Sequence, residues 1–219
     1  MPRAVTLAAS LLALTAPICA MATDLGYVGQ PGSPAEQAAE MMRARTPGID
    51  RSVALATIFA VVDAVKSGAV ADGLIPAAIN GDAADDTTNL LLGELDPGIR
   101  VVGEARVMGQ QQGATAYWMI ARSPERLIEQ HPDRLVVNVE APAGSKAFSL
   151  VVAGLSKVGF TVTSVASAPQ QGKQFGHRYL LALAADKPIL ALRASDAIAR
   201  DSRAGEGRAA LIGAWKQVP

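Results

Sequence analysis

The stretch GYVGQPGSPAEQAAEMM, Gly26 to Met42, is where residue types and spacing first suggest chemistry. Ser33 stands where a helix N-cap belongs, Pro34 takes the first helical position and Glu36 follows three residues after the cap, the pattern of a capping box. Gly29 and Gly32 keep the preceding turn free of Cβ atoms, so a ligand can approach main-chain N–H groups at the positive end of the helix dipole. An anion is the guest such a mouth suits. The same residues serve equally well in a plain strand–turn–helix unit, which needs glycines and a cap whether or not anything binds.

Other reactive groups are sparse. The two histidines, His131 beside a proline and His177 at a predicted strand start, have no carboxylate or second histidine at ligand spacing. That argues against zinc and against a Ser-His-Asp triad. Gly26, Gly29 and Gly32 are not spaced as a dinucleotide fingerprint and no G-K-[ST] occurs, so no cofactor is expected. Asp85 to Asn89, DDTTN, lacks the glycine and glutamate of a calcium-binding EF-hand loop and reads as a solvated helix start. Trp118 and Trp215 fall on apolar strands, where packing is the default role.

The elements that must position these residues alternate between strand and helix. Strands are predicted at 25–28 and 53–55, and helices at 34–45 and 58–67; Thr57 precedes the second helix and Gly68 stops it. Gly73–Pro76 reads as a buried strand, 86–92 as a helix, and 100–107 and 115–121 as further strands. This is α/β architecture. Residues 123–133, SPERLIEQHPD, are charged and hold two prolines, the composition of a linker. Beyond it the order is strand 135–140, helix 146–158, strand 161–166, strand 177–184, helix 189–200 and strand 209–215. That β-α-β-β-α-β order is the ferredoxin-like split.

The chain of 219 residues balances 20 Lys and Arg against 20 Asp and Glu, and half its residues are apolar. No strong net field draws it to nucleic acid, and the apolar content suffices for a buried core. The opening segment has Arg3, an apolar run from Ala4 to Ala16, and Ala20-Met21-Ala22 as an A-x-A cleavage site, so 1–22 reads as a secretory signal. The mature protein is then periplasmic or secreted; if translation starts at Met21, it is cytoplasmic. The apolar run is too short for a comfortable membrane span, and none is expected in the mature form. Cys19, the one cysteine, leaves with the signal, so no disulfide or thiolate is expected.

Several segments together resemble the prephenate dehydratase family. GYVGQPGSPAEQAA is similar to that family's opening strand, glycine turn and alanine-rich helix. TIFAVVDAVKSGAVADGLIPAAING follows its helix, glycine and P-I-E-N-S strand, and LLLGELDPGIRVVGEARV the segment after it. Near the end, GFTVTSVASAP lies on the signature of the regulatory ACT domain, and LIGAWKQVP resembles the family's closing L-G-S-Y-P. The resemblance covers nearly the whole mature chain. It implies a single shortened lobe of a periplasmic-binding-protein-like dehydratase domain at 23–122, a linker at 123–133 and a ferredoxin-like ACT domain at 134–219.

The implied activity is loss of carbon dioxide and hydroxide from prephenate to give phenylpyruvate, in phenylalanine biosynthesis. In the family's T-R-F position the chain has Thr115, Ala116 and Tyr117, so Thr115 is the residue that would assist the leaving hydroxyl, and the arginine is gone. Gly29, Gly32, Ser33 and Asn80 would contact substrate carboxylates, Asn80 through a one-residue shift. Asn80-Gly81 also has the make-up of a tight turn, and Thr115 suits any strand. The strand at 101–107 is followed within about ten residues by the returning GATAYWMIAR, so most of the family's second lobe is expected to be missing. The regulatory positions fall on Ala147 and Phe148 and on Ser167 and Pro169, where the family's glycine, glutamate and arginine are replaced. Classical phenylalanine feedback is therefore not expected. The implied partners are a small carboxylate, prephenate or an aromatic amino acid, and a second copy paired through the ACT domain.

Overall fold

The computed structural model describes residues 23–77, 87, 91, 98–109, 113–122, 129–169 and 176–217. Parallel strands β1 (Asp24–Val28), β2 (Arg51–Leu55) and β3 (Asp72–Pro76) are joined by α1 (Pro34–Arg45) and α2 (Ile58–Ser67). Each helix is set by its first residues. Ser33 accepts the Glu36 N–H at 3.3 Å, and Thr57 accepts the Ala60 N–H at 3.1 Å. The helices then lie on opposite faces of the sheet. Ala35, Ala38, Ala39 and Met42 of α1 pack with Leu25, Tyr27, Leu74, Tyr117 and Met119, whereas Ile58, Val61, Val62 and Val65 of α2 pack with Ile75, Trp118 and Ile120. In both helices the apolar residues recur at the i, i+3, i+4, i+7 spacing that makes one buried stripe.

Antiparallel strands β4 (Ile99–Gly109) and β5 (Gly113–Arg122) follow, with β5 against β3. The β4–β5 ladder continues to the pair Gly109 and Gly113, so only three residues of sequence join the paired ends of these strands. The remaining elements are β6 (Arg134–Ala141), α3 (Ala147–Val158), β7 (Thr161–Pro169), β8 (His177–Ala184), α4 (Ala191–Ala204) and β9 (Arg208–Trp215). They lie in the spatial order β9-β6-β8-β7, with α3 and α4 over one face. This is the predicted split β-α-β topology.

The two segments share a sheet. Its nine strands run β2-β1-β3-β5-β4-β9-β6-β8-β7, and the halves meet where Val101 of β4 lies in parallel register with Gly213 of β9. A Cβ on Gly213 would sit 2.7 Å from Val101 Cβ and 2.8 Å from the Val101 carbonyl oxygen, so only glycine allows this approach. One apolar cluster crosses the seam, from Val61 and Trp118 to Val136, Leu180 and Trp215.

Several predicted boundaries shift. β7 reaches Pro169 rather than ending near 166, because β8 pairs with it down to His177. α4 begins at Ala191 rather than 189, since the Ile189 and Ala191 N–H groups donate to the carbonyls of Pro132 and Gln130. Of the helix predicted at 86–92, only Thr87 and Leu91 are among the described residues; both are helical and buried. The segments 1–22 and 123–128 lie outside them.

Candidate functional site

In a sheet with parallel strands, loops at the strands' carboxyl ends gather where a ligand can meet helix N-termini. Here that edge is formed by the ends of β1, β2 and β3 and, because β5 is antiparallel, by the start of β5. Tyr27 of β1 is in register with Leu74 of β3, which pairs with Met119 of β5, and Pro76 pairs with Tyr117. Thr115 stands two residues beyond Tyr117 toward the edge and pairs with Val107. Strand alternation puts Thr115 on the face of Tyr117 and Met119, the face covered by α1. The Gly29–Ser33 turn and Thr115 thus share one edge and one face, about 10 Å apart laterally across two strand spacings. Thr115 is half-buried.

The turn has the backbone its glycines allow, with φ +133° at Gly29 and +85° at Gly32, and no atom within 4 Å of the position a Gly32 Cβ would take. Three of its main-chain donors are already engaged. The Gly29 N–H donates to the Leu55 carbonyl at 3.1 Å and the Ser33 N–H to the Gln30 carbonyl at 3.1 Å. The Gly32 N–H donates to Glu36 Oε2 at 2.6 Å. The expected capping box is therefore altered: Glu36 reaches past the cap residue to the glycine before it, because the turn uses the Ser33 N–H itself. An internal carboxylate sits at the helix mouth, where the dipole favours negative charge. The buried Tyr27 hydroxyl donates to Glu36 Oε1 at 3.2 Å. Burial first, and the Glu36 carboxylate second, push the Tyr27 phenol above its ordinary value. Burial does the same to Tyr117. Both phenols are thus protonated at neutral pH and can serve as hydrogen-bond donors.

Asn80 and Gly81 lie outside the described residues. The four residues of the predicted regulatory set lie on α3 and β7, in the β6 to β9 half of the sheet. Ala147 is fully buried at the start of α3, and Phe148 packs its ring 4.3 Å from that of Tyr179. Ser167 is in register with Tyr179 and Pro169 with His177, both on the outer strand β7. The His177 and Tyr179 rings stack at 5.9 Å. This aromatic row was not read from the sequence, because Phe148 and Tyr179 meet only when α3 docks on β8. Among the described residues no group of three or more His, Cys, Asp or Glu could hold a metal ion, and no helix is long and apolar enough to cross a membrane.

No protein-family model matches the sequence, and no curated protein matches it significantly. Solved structures do resemble its fold. A prephenate dehydratase from Streptococcus mutans superposes with a TM-score of 0.69 at 14% identity, over 90% of this chain and 100% of that one. A prephenate dehydratase from Arthrobacter aurescens in complex with L-Phe gives 0.64 at 12%, over 88% of this chain and 89% of that one. GqqA, described as a novel type of quorum quenching acylase, gives 0.66 at 20%, over 90% and 96%. At such identities the likeness extends to the fold alone, and proteins described by different activities share it.

Proposed function

We propose that the chain is a prephenate dehydratase-like protein of phenylalanine biosynthesis that takes a small carboxylate, prephenate or an aromatic amino acid, at the edge formed by the carboxyl ends of β1 and β3 and the start of β5. The observation that carries this reading is the placement of Thr115 and the Ser33-capped turn at one edge and on one face of a sheet with that fold. In the reaction, the bond from the ring to its carboxylate breaks and carbon dioxide leaves. Those electrons complete the aromatic ring as the C–O bond to the ring hydroxyl breaks, and the departing oxygen gains a proton to leave as water. Thr115 would hydrogen-bond that oxygen, a role that matters because charge develops there as the bond breaks. Because the Gly29, Gly32 and Ser33 N–H groups are engaged within the protein, the turn would contribute the Ser33 hydroxyl, which with Asn80 would orient the carboxylates.

A second reading, a non-catalytic exported binding or dimerisation module, is favoured by the direct return from β4 to β5 and by Ala116 in place of an arginine. An enclosed cleft strengthens the electrostatics of a reaction and excludes water, and a single face does so poorly. Incubating the mature protein with prephenate and following phenylpyruvate absorbance separates the two. Product above the spontaneous rate that falls on Thr115→Ala supports the enzyme; a background rate unchanged by the substitution leaves the binding module.

The organisation proposed with this reading is a signal peptide at 1–22, a periplasmic-binding-protein-like lobe at 23–122 and an ACT domain from residue 134. Strand β7 ends the sheet and Val165 on it is 49% exposed, which supports pairing with a second copy. A monomer by sedimentation would refute that pairing. N-terminal sequencing of the mature product tests export.

A further inference from the structure

A groove of about 360 Å³ opens where the two halves of the sheet meet, lined by residues of β4, β5, β6, β7, β8 and β9. Its chemistry is concentrated in four side chains. Glu104 is nearly buried, with 5% of its side chain exposed, and accepts two hydrogen bonds: Arg106 Nε donates to Oε1 at 2.6 Å and Trp118 Nε1 to Oε2 at 3.2 Å. Trp215 meets Trp118 edge-to-face at 6.4 Å, and its own indole N–H is buried without an acceptor among the described residues. The groove is distinct from the edge that holds Thr115. Glu104 pairs with Trp118, in the cluster on the α2 face, whereas Thr115 pairs with Val107, in the cluster on the α1 face.

We infer that this groove binds a small aromatic carboxylate. A carboxylate held this far from water costs free energy unless it has a task, and here it fixes the guanidinium. The ion pair engages only Nε of Arg106, so the two terminal NH2 groups of that half-exposed fork are left to bond a ligand carboxylate bidentately. Arg134, the other cation of the lining, is largely engaged: it donates to the Asp133 carbonyl at 2.8 Å and to Gln217, and lies 3.5 Å from the Asp133 carboxylate. Each guanidinium of the lining thus has a carboxylate partner, and what draws an anion is the terminal NH2 pair of Arg106 rather than a net charge. Two indole rings with Ala182 supply an apolar wall suited to an aryl group. The volume is at the lower end of small-molecule sites, which selects a one-ring acid. Because β4 and β9 meet under this groove, an occupant would brace the two halves against each other.

The chain has two tryptophans and both line the groove, so intrinsic fluorescence reports occupancy directly. The whole mature protein would be titrated with 3-phenylpropionate, with 3-phenylpropanamide, which lacks the charge, and with acetate, which lacks the ring. A saturable change with the acid is expected. The amide and acetate should bind about tenfold more weakly or worse, and Arg106→Ala should weaken the acid by about tenfold. Arg106→Lys should recover part of that loss, since it restores the charge but not the fork. The proposal is overturned by no saturable change, by equal binding of acid and amide, or by a response lost on Thr115→Ala but kept on Arg106→Ala. Prephenate turnover is read separately and is expected to be unchanged in Arg106→Ala, so failure here is distinguishable from failure of the proposed activity.

Discussion

The seam at Val101 and Gly213 gives the sharpest test of whether this chain folds as one unit. In Gly213→Ala, the added methyl would have to sit 2.7 Å from Val101 Cβ and 2.8 Å from the Val101 carbonyl oxygen. Ordinary carbon contacts begin near 3.5 Å, so the shortfall is about 0.7 Å. One of these atoms is main chain and the other is a Cβ fixed by it, so no rotamer change clears either contact. Inserting a methyl into a packed site costs about 1–3 kcal/mol, and for a chain of this length each kcal/mol lowers the Tm by about 2–4 °C. A fall of roughly 2–12 °C is therefore expected. The seam rests on one Val101–Gly213 register pair and a shared apolar cluster, so the substitution should also uncouple the halves. Urea unfolding would be followed by far-ultraviolet circular dichroism and by fluorescence of Trp118 and Trp215, which flank the seam. The wild type should give coincident transitions and Gly213→Ala an earlier fluorescence change, the mark of lost two-state behaviour. An unchanged Tm with coincident transitions in the variant would refute the argument that close backbone approach joins the halves.

Two further outcomes follow from local structure. Thr57→Ala removes the acceptor that holds the Ala60 N–H at the start of α2; a loss of about 1 kcal/mol is expected from denaturant midpoints, and no change would show that packing alone fixes that helix end. The Arg51 hydrogen bond holds the Asp24 carboxyl below its ordinary 3.8, the Arg43 hydrogen bond holds Glu40 below 4.5, and the Arg200 hydrogen bond lowers Asp201. All three folded-state values are depressed, so their stabilisation is complete above the ordinary carboxylate range and is lost as pH falls through the lower folded values. The triple variant Arg43→Ala, Arg51→Ala and Arg200→Ala should show a shallower loss of stability in acid; identical pH profiles for variant and wild type would contradict the assignment.

Much of the fold was legible because its signals are local. Ser33 and Thr57 name the helix starts by side-chain chemistry, the apolar stripe Ile58, Val61, Val62 and Val65 repeats at helical spacing, and β6 to β9 announce their order by alternation and turns. The short span between 107 and 113 already implied the direct return to β5. What the sequence left open depends on residues far apart. Glu36 could be read as half of a capping box, but its choice of the Gly32 N–H depends on the turn having used the Ser33 N–H. Trp118 and Trp215 could be read as core, but only the seam brings them together beside Glu104 and Arg106. Composition and spacing fix which residues can cap, alternate or turn, since those preferences act over a few bonds. Which strands become neighbours across the two halves, and hence which charges and rings share a groove, is decided by packing between segments far apart in sequence, as with Val101 and Gly213.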